Sequence, residues 1–469
     1  MTTLQATNIN ALNPSNINAL KAGIRGTVIV PGDETYDSAR TIWNATIDRH
    51  PAVVVRCANV SDVVTAVNYA RDNRLPLAIR SGGHNIAGNA MCDDGLVVDL
   101  SQMKAVHVEP AARRVTVEAG ATLADLDAAT QAHGLATPLG INSTTGVAGL
   151  TLGGGFGWLS RKYGMTVDNL ESAEVVTAAG ELVRASATEH PDLFWALRGG
   201  GGNFGVVTRF EFRLHPVGPD VLSGLIVYPM SEAKTVLQRY RQFIARAPDD
   251  LSVWVVTRLA PPLPFLPAKV HGTPIVALAI LHAGDPAEGE GLIEPLRHFG
   301  TVVGEHVGVQ PYTAWQKAFD PLLTPGARNY WKSHNFSTLD DKLFDTVIDY
   351  IGTLPSPQCE IFFGAIGGAT MRPPVDATAY PNRDARFVMN VHGRWDDAAD
   401  DRECITWARD FFQASAPFAS SGVYVNFLTA DETDRVRSAY GPNYDRLVAV
   451  KQKYDPQNLF RINQNIRPA

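Results

Sequence analysis

The sequence predicts an α+β protein built in two parts, and two features of the chain lead there. Over residues 27–216, β-rich runs alternate with helical patterns, opening as β-α-β and continuing with mixed strands. That departs from the strict strand–helix alternation of a doubly wound sheet. Over about 221–421, apolar strands alternate with longer helical segments across proline-rich connections at 261–264 and 373–374. This is the pattern of an antiparallel sheet with covering helices.

The elements follow in order. Residues 51–57 (PAVVVRC) form a continuous apolar run of strand length. Ser61 is placed to cap a helix whose apolar face carries Val63, Val64, Val67 and Ala70. Residues 77–80 read as a strand that stops at Ser81-Gly82-Gly83, and strands at 95–100 and 114–119 precede a helix over about 122–134. In the second part, 251–258, 275–282, 359–366 and 387–392 read as strands. The last stretch, 445–469, carries a short helix and then YDPQNLF, and it does not continue the second sheet.

Composition narrows the function. With 45% hydrophobic and 19% charged residues, the 469-residue chain is globular and long enough for two or three domains. A formal charge of -7, with Lys and Arg scattered singly or in pairs, speaks against nucleic-acid binding. No apolar run is long enough to cross a bilayer, and residues 1–19 lack the basic start and apolar block of a signal peptide. The four cysteines (Cys57, Cys92, Cys359, Cys404) lie far apart without metal-ligand spacing. The expectation is a reduced cytoplasmic protein with isolated, buried, inert thiols and no metal.

Three glycine-rich stretches lie in the first half, at 81–85, 149–157 and 199–205. Each abuts a strand in this reading, and glycines let several backbone N–H groups converge on one anion. Together they favour an extended phosphate-bearing ligand such as a dinucleotide. The Rossmann fingerprint fits badly, because Gly155-Phe156-Gly157 follows Gly149-Leu150-Thr151-Leu152 and not a β-branched strand. A P-loop is excluded, since no glycine here precedes Lys and Ser or Thr in the required frame.

These motifs resemble a known family. Residues 80–85 (RSGGHN) are similar to the histidine loop of bacterial FAD-linked oxidases related to berberine-bridge enzyme and 6-hydroxynicotine oxidase, which have the vanillyl-alcohol-oxidase fold. GVAG at 146–149, GGG at 153–155, RKYG at 161–164, DLFWALRG at 192–199, NFG at 203–205, YVNF at 424–427 and YDPQNLF at 454–460 follow in the family's order. The resemblance covers nearly the whole chain. It implies FAD binding by 1–217 together with a C-terminal return at 424–469, and a substrate domain at 218–423. It implies FAD contacts from Arg80, Ser81, Gly82, Gly83, His84 and Asn85 of the first loop. Thr144, Gly146, Gly149, Gly153, Gly154, Gly155 and Gly157 would follow from the second. Asn203, Gly205 and Val206 of the third loop, and Asn426, Asn463 and Asn465 of the tail, complete the set.

In that family the loop histidine bonds the 8α-methyl carbon of the flavin, and a neutral imidazole nitrogen is a competent nucleophile. Many relatives add a cysteine link four residues before the glycine matching Gly146. Here that residue is Asn142 and no cysteine lies between Cys92 and Cys359, so a single linkage through His84 is expected.

Three residues stand out for chemistry. Tyr424 matches a tyrosine that acts as or assists a general base, which requires a lowered phenol pKa, or else it is an ordinary aromatic. Glu360 shares a strand face with Phe362 and is either an edge residue or a cleft acid/base with a raised pKa. Thr145 occupies the family's oxygen-gate position or simply satisfies its own turn. Trp254, Tyr330, Trp331 and Phe362 are candidates for an aromatic cleft.

The function implied is an oxidase that passes a hydride from a small organic substrate to FAD and then electrons to O2, giving H2O2. An oxygenating enzyme of secondary metabolism and a non-catalytic flavin-binding protein are the alternatives.

Overall fold

The computed structural model describes residues 13–420 and 422–469, so much of the N-terminal segment that bears on a leader peptide lies outside the described residues. Among the described residues, no helix is long and apolar enough to cross a membrane.

A four-stranded sheet opens the chain, in the order Thr27–Ile29, Val53–Arg56, Leu96–Asp99, Leu77–Arg80. Its last three strands are parallel and the first is antiparallel. The helix Val60–Asp72 buries Val63, Ala66, Val67 and Ala70. Its cap is Asn59, not Ser61. Asn59 is extended and its side chain accepts from Asp62 N, while the Ser61 hydroxyl donates to the same oxygen. A five-stranded antiparallel sheet follows, in the order Val106–Glu109, Arg114–Glu118, Val206–Arg213, Leu170–Val176, Leu182–Ser186. The second glycine stretch does not abut a strand as expected: Gly149 lies in the short helix Val147–Leu152.

The second part is a seven-stranded sheet in which every pairing is antiparallel. Its order is Gly304–Pro311, Asp220–Pro229, Pro274–His282, Leu251–Leu259, Glu360–Ala365, Phe387–Trp395, Arg328–Phe336. Alternate residues face opposite sides. Ile226, Leu278, Val255, Ile361 and Val391 share a core with the apolar stripes of three helices. These helices are Ala233–Ile244, Asp341–Ile351 and Asp401–Ser415, with Val236, Leu237 and Tyr240, Phe344 and Val347, and Trp407 and Phe411 turned inward. All four cysteines are buried and free. Cys359 and Cys404 are not isolated, however. Cys359, just before the strand Glu360–Ala365, and Cys404, in the helix Asp401–Ser415, lie close enough to influence each other electrostatically.

The tail packs against the first part. Val425, Leu447, Val450, Phe460 and Ile466 belong to the same core as Val55, Val117 and Phe210. A wholly buried ion pair, Lys451 Nζ to Asp455 at 2.6 Å, sits at this junction. The ammonium also donates to the carbonyls of Asn203 and Phe460, both at 2.8 Å. Asp455 accepts the N–H groups of Leu459 and Phe460. All three ammonium hydrogens therefore have acceptors, which such deep burial requires. Lys451→Met leaves the Asp455 charge without its partner in a dry site. The expected loss of stability by urea unfolding is about 3–5 kcal/mol; a loss below about 1 kcal/mol would mean that water reaches the pair.

Candidate active site

A cavity of 370 Å³ lies between the glycine loops of the first part and the open face of the seven-stranded sheet. The sheet wall is set by register. One cross-strand row runs Ile275, Arg258, Glu360, His392, Trp331, and the next runs Val227, Ala277, Val256, Phe362, Asn390. All ten side chains line the cavity. Polar chemistry is thus concentrated in one row, between apolar neighbours.

The loop wall depends on one close approach. A Cβ on Gly82 would lie 2.3 Å from Gly146 N, and a Cβ on Gly146 would lie 2.4 Å from Gly82 N. Only two glycines let these loops touch backbone to backbone. Among the described residues, the N–H groups of 81–85 make no internal hydrogen bond, so they form a donor cradle at the cavity wall. Gly149 and Gly202 also line the cavity, and a Cβ on either would meet no protein atom within 4 Å. Free donors and side-chain-free walls fit the pyrophosphate and ring of a flavin dinucleotide.

His84 projects from this cradle. Its Nε2 lies 2.9 Å from Thr144 Oγ1, and its ring stacks on Trp43 at 5.1 Å and 21°. Burial pushes its pKa down to about 4, against the opposing Thr144 hydrogen bond. The imidazole is neutral at physiological pH. Trp43 contacts Trp331, which meets His392 edge-on, so aromatic rings run from one histidine to the other.

Glu360 is a cleft residue, but its pKa is lowered where a raised value was expected. Burial pushes the carboxyl up, and Arg258, together with His392 in its protonated form at acid pH, more than offsets this. Arg258 Nη1 donates to Oε2 at 2.7 Å, while Oε1 faces His392 Nδ1 at 3.6 Å. The His392 pKa is lowered by burial, with Glu360 opposing. Tyr424 departs from expectation in the other direction. Burial pushes its pKa up to about 12 despite the donors Asn426 Nδ2 at 3.0 Å and Gly155 N at 3.2 Å. A phenol so held is no base at neutral pH.

Of the other expected residues, Ser81, Gly82, Gly83, Asn85, Thr145, Gly146, Gly149, Gly205, Val206, Asn426 and Asn463 line the cavity. Several do not. Arg80 is turned away, paired with the buried Asp99 at 2.6 Å. Thr144 lies outside the cavity lining and hydrogen-bonds to His84 and Asn142. Gly153 serves packing, since a Cβ there would overlap the Asn426 side chain, and Gly155 takes φ +72° against Thr166. Gly154 lies against Tyr380, and Gly157 against the Leu139 carbonyl. Asn203 binds the tail through Ile466 N, and Asn465 is half-buried outside the cavity lining, its Oδ1 buried. Trp254, Trp331 and Phe362 form the aromatic cleft, whereas Tyr330 turns to Asp431 and Arg409. Trp43, Arg258, His392 and Gln464 were not anticipated.

Fold and cleft define a two-part α+β flavoprotein. A family profile described as FAD binding domain matches residues 51–186, and one described as berberine and berberine like matches 423–467. The chain is 32% identical to an FAD-linked oxidoreductase of Dictyostelium discoideum, over 96% of its own length and 97% of the relative's. It is 31% identical to (R)-6-hydroxynicotine oxidase of Paenarthrobacter nicotinovorans, over 96% and 98%. The crystal structure of 6-hydroxy-D-nicotine oxidase from Arthrobacter nicotinovorans matches with TM-score 0.85 at 30% identity, over 95% and 98%. The chain belongs to this berberine-bridge-enzyme-like family: it is an FAD-linked oxidoreductase of the vanillyl-alcohol-oxidase fold.

The lowered Glu360 pKa has a measurable sign. A carboxyl with a depressed folded-state pKa contributes stability above its ordinary value, and that contribution is lost as pH falls through the folded value. Between about pH 6 and pH 3, wild-type Tm should therefore fall further than that of Glu360→Gln. Arg258→Met removes the largest effect opposing burial, so its Tm should fall less than that of the wild type over the same range. Parallel Tm curves for all three proteins would refute the assignment.

Proposed function

We propose that this oxidoreductase is an oxidase for alcohols or amines with a largely apolar body, carrying FAD through His84 alone and using O2 as the final acceptor. One observation carries the substrate class: two hydrogen-bond acceptors face each other across the cavity floor. Asn329 Nδ2 donates to Ala327 O, and Asn329 Oδ1 accepts from Arg394, which fixes its amide orientation. His392 Nε2, 2.9 Å from that oxygen, must then carry the ring proton. Neutral His392 therefore turns its Nδ1 lone pair toward Glu360 Oε1. A substrate O–H or N–H placed there donates to one of the two, and the proton it releases comes to lie between them.

FAD supplies a two-electron acceptor that takes a hydride from the substrate carbon bearing that group. The chain's own residues do the rest. The 81–85 cradle and the bare walls at Gly149 and Gly202 hold the cofactor. The wall of Leu225, Val227, Val256, Ala277 and Phe362 excludes water and receives the apolar body. Tyr424, whose oxygen accepts two hydrogen bonds, turns its own hydrogen to the substrate as an orienting donor. Thr145 flanks the approach of O2. Two electrons and two protons leave the substrate, and O2 departs as H2O2. On this reading, 1–217 and 424–469 hold the flavin and 218–423 the substrate. The relatives named as hydroxynicotine oxidases support a small organic substrate and oxidase chemistry.

Intact mass should exceed the sequence mass by one FAD, and His84→Ala should release the yellow colour on denaturation; a flavin peptide mapping elsewhere defeats the tether. Rapid-mixing reduction by substrate separates the two candidate proton acceptors. His392→Gln and Glu360→Gln should slow flavin reduction by about 100- to 10,000-fold, as removal of a positioned base does. Tyr424→Phe should slow it by only about tenfold, the loss of one hydrogen bond. The reverse ranking would restore Tyr424 as the base. Thr145→Leu should slow reoxidation by O2 while leaving reduction unchanged.

A further inference from the structure

An imidazole forms a new bond only through its unprotonated nitrogen, and the hydrogen bonds around His84 fix which one that is. Asn142 Oδ1 accepts the backbone N–H of Thr144 at 3.1 Å. A backbone N–H only donates, so this end of the amide is the oxygen. The same oxygen lies 2.7 Å from Thr144 Oγ1, and the hydrogen between them comes from the hydroxyl. That hydroxyl has no second hydrogen. Toward His84 Nε2, at 2.9 Å, Thr144 offers lone pairs alone, so the ring donates. The proton sits on Nε2 and Nδ1 keeps its lone pair. With the ring pKa held down to about 4 by burial, the imidazole is neutral and the choice of tautomer is a real one.

We propose that Asn142 is a positioning residue which, through Thr144, holds His84 in the tautomer whose Nδ1 can bond the flavin. This rests on the reading of His84 as the tether. In the step it serves, an Nδ1–C bond forms at the 8α-methyl carbon as one C–H bond breaks, and the Nε2 proton is released. The two electrons and two protons pass to O2, which leaves as H2O2. Thr144 alone serves either tautomer, because a hydroxyl both donates and accepts. Asn142 removes that freedom by taking the hydroxyl hydrogen.

The test is a time course of attachment in protein purified at intervals after induction, reading flavin that stays with the acid-denatured polypeptide against total bound flavin. Asn142→Ala frees the Thr144 hydroxyl to donate to Nε2, which places the proton on Nδ1. Attachment should slow by at least about fivefold, the population factor of one ordinary hydrogen bond, with total flavin near the wild-type level. Thr144→Val removes the bias in both directions and should slow attachment less. The double variant should recover from the Asn142→Ala rate to the Thr144→Val rate, because no hydroxyl remains to fix the wrong tautomer. Asn142→Ala attaching at the wild-type rate, or a double variant slower than Asn142→Ala, overturns the relay while leaving the tether intact. Wild-type protein without acid-stable flavin overturns the tether itself, and the relay with it.

Discussion

The backbone contact between Gly82 and Gly146 is the constraint on which the site depends. The loop after the strand Leu77–Arg80 and the turn before the helix Val147–Leu152 come from separate stretches of chain, and no side chain fits between them. Their approach brings Thr144 to His84 and leaves the N–H groups of 81–85 without a protein acceptor at the cavity wall. Unpaired backbone donors are costly when buried, so such a cradle is stable only where water or an anionic ligand reaches it. Arg80 holds the strand end from behind. Its charge goes to Asp99, which also takes Arg56 at 3.1 Å. The arginine that opens the RSGGHN motif thus anchors the loop, while the glycines and histidine present it.

The opposite wall is governed by register. In an antiparallel sheet a one-residue slip moves every side chain to the other face, so Arg258, Glu360 and His392 meet only because three strands hold one alignment. That alignment is fixed from the far face, where Val255, Ile361 and Val391 pack under the helices. The core chosen on one side therefore determines the chemistry available on the other.

This division also explains what the sequence made legible. The strands over 251–258, 275–282 and 387–392 lie within observed ones, because β-branched and apolar runs of that length leave little choice. The glycine loops and His84 were visible as motifs, and Glu360 as a charge in an apolar strand. The two pKa expectations failed because each turns on a partner supplied by tertiary structure. Arg258 reaches Glu360 from a strand about a hundred residues away in sequence, and burial of Tyr424 outweighs its two donors. His392 gave no signal in a strand of otherwise ordinary composition; its meaning lies in facing Glu360. Gly153 and Gly155 looked like cradle residues because packing against Asn426 and Thr166 demands the same absence of a side chain as packing against a ligand.

The two walls differ in electrostatic character, and that difference suits the proposed reaction. Arg258 and Glu360 neutralise each other and His392 is uncharged, so the floor presents no net charge before reaction. A proton arriving between Oε1 and Nδ1 makes that wall cationic, while the departing electron pair makes the loop wall anionic. In a cavity lined by Trp254, Val256, Ala277 and Phe362, such a separation is weakly screened and the two changes attract one another. Neither charge has to be held beforehand. Without Arg258 burial would favour the protonated carboxyl, which cannot serve as an acceptor. Arg258 therefore keeps Glu360 ionised, and the cross-strand row keeps His392 beside it.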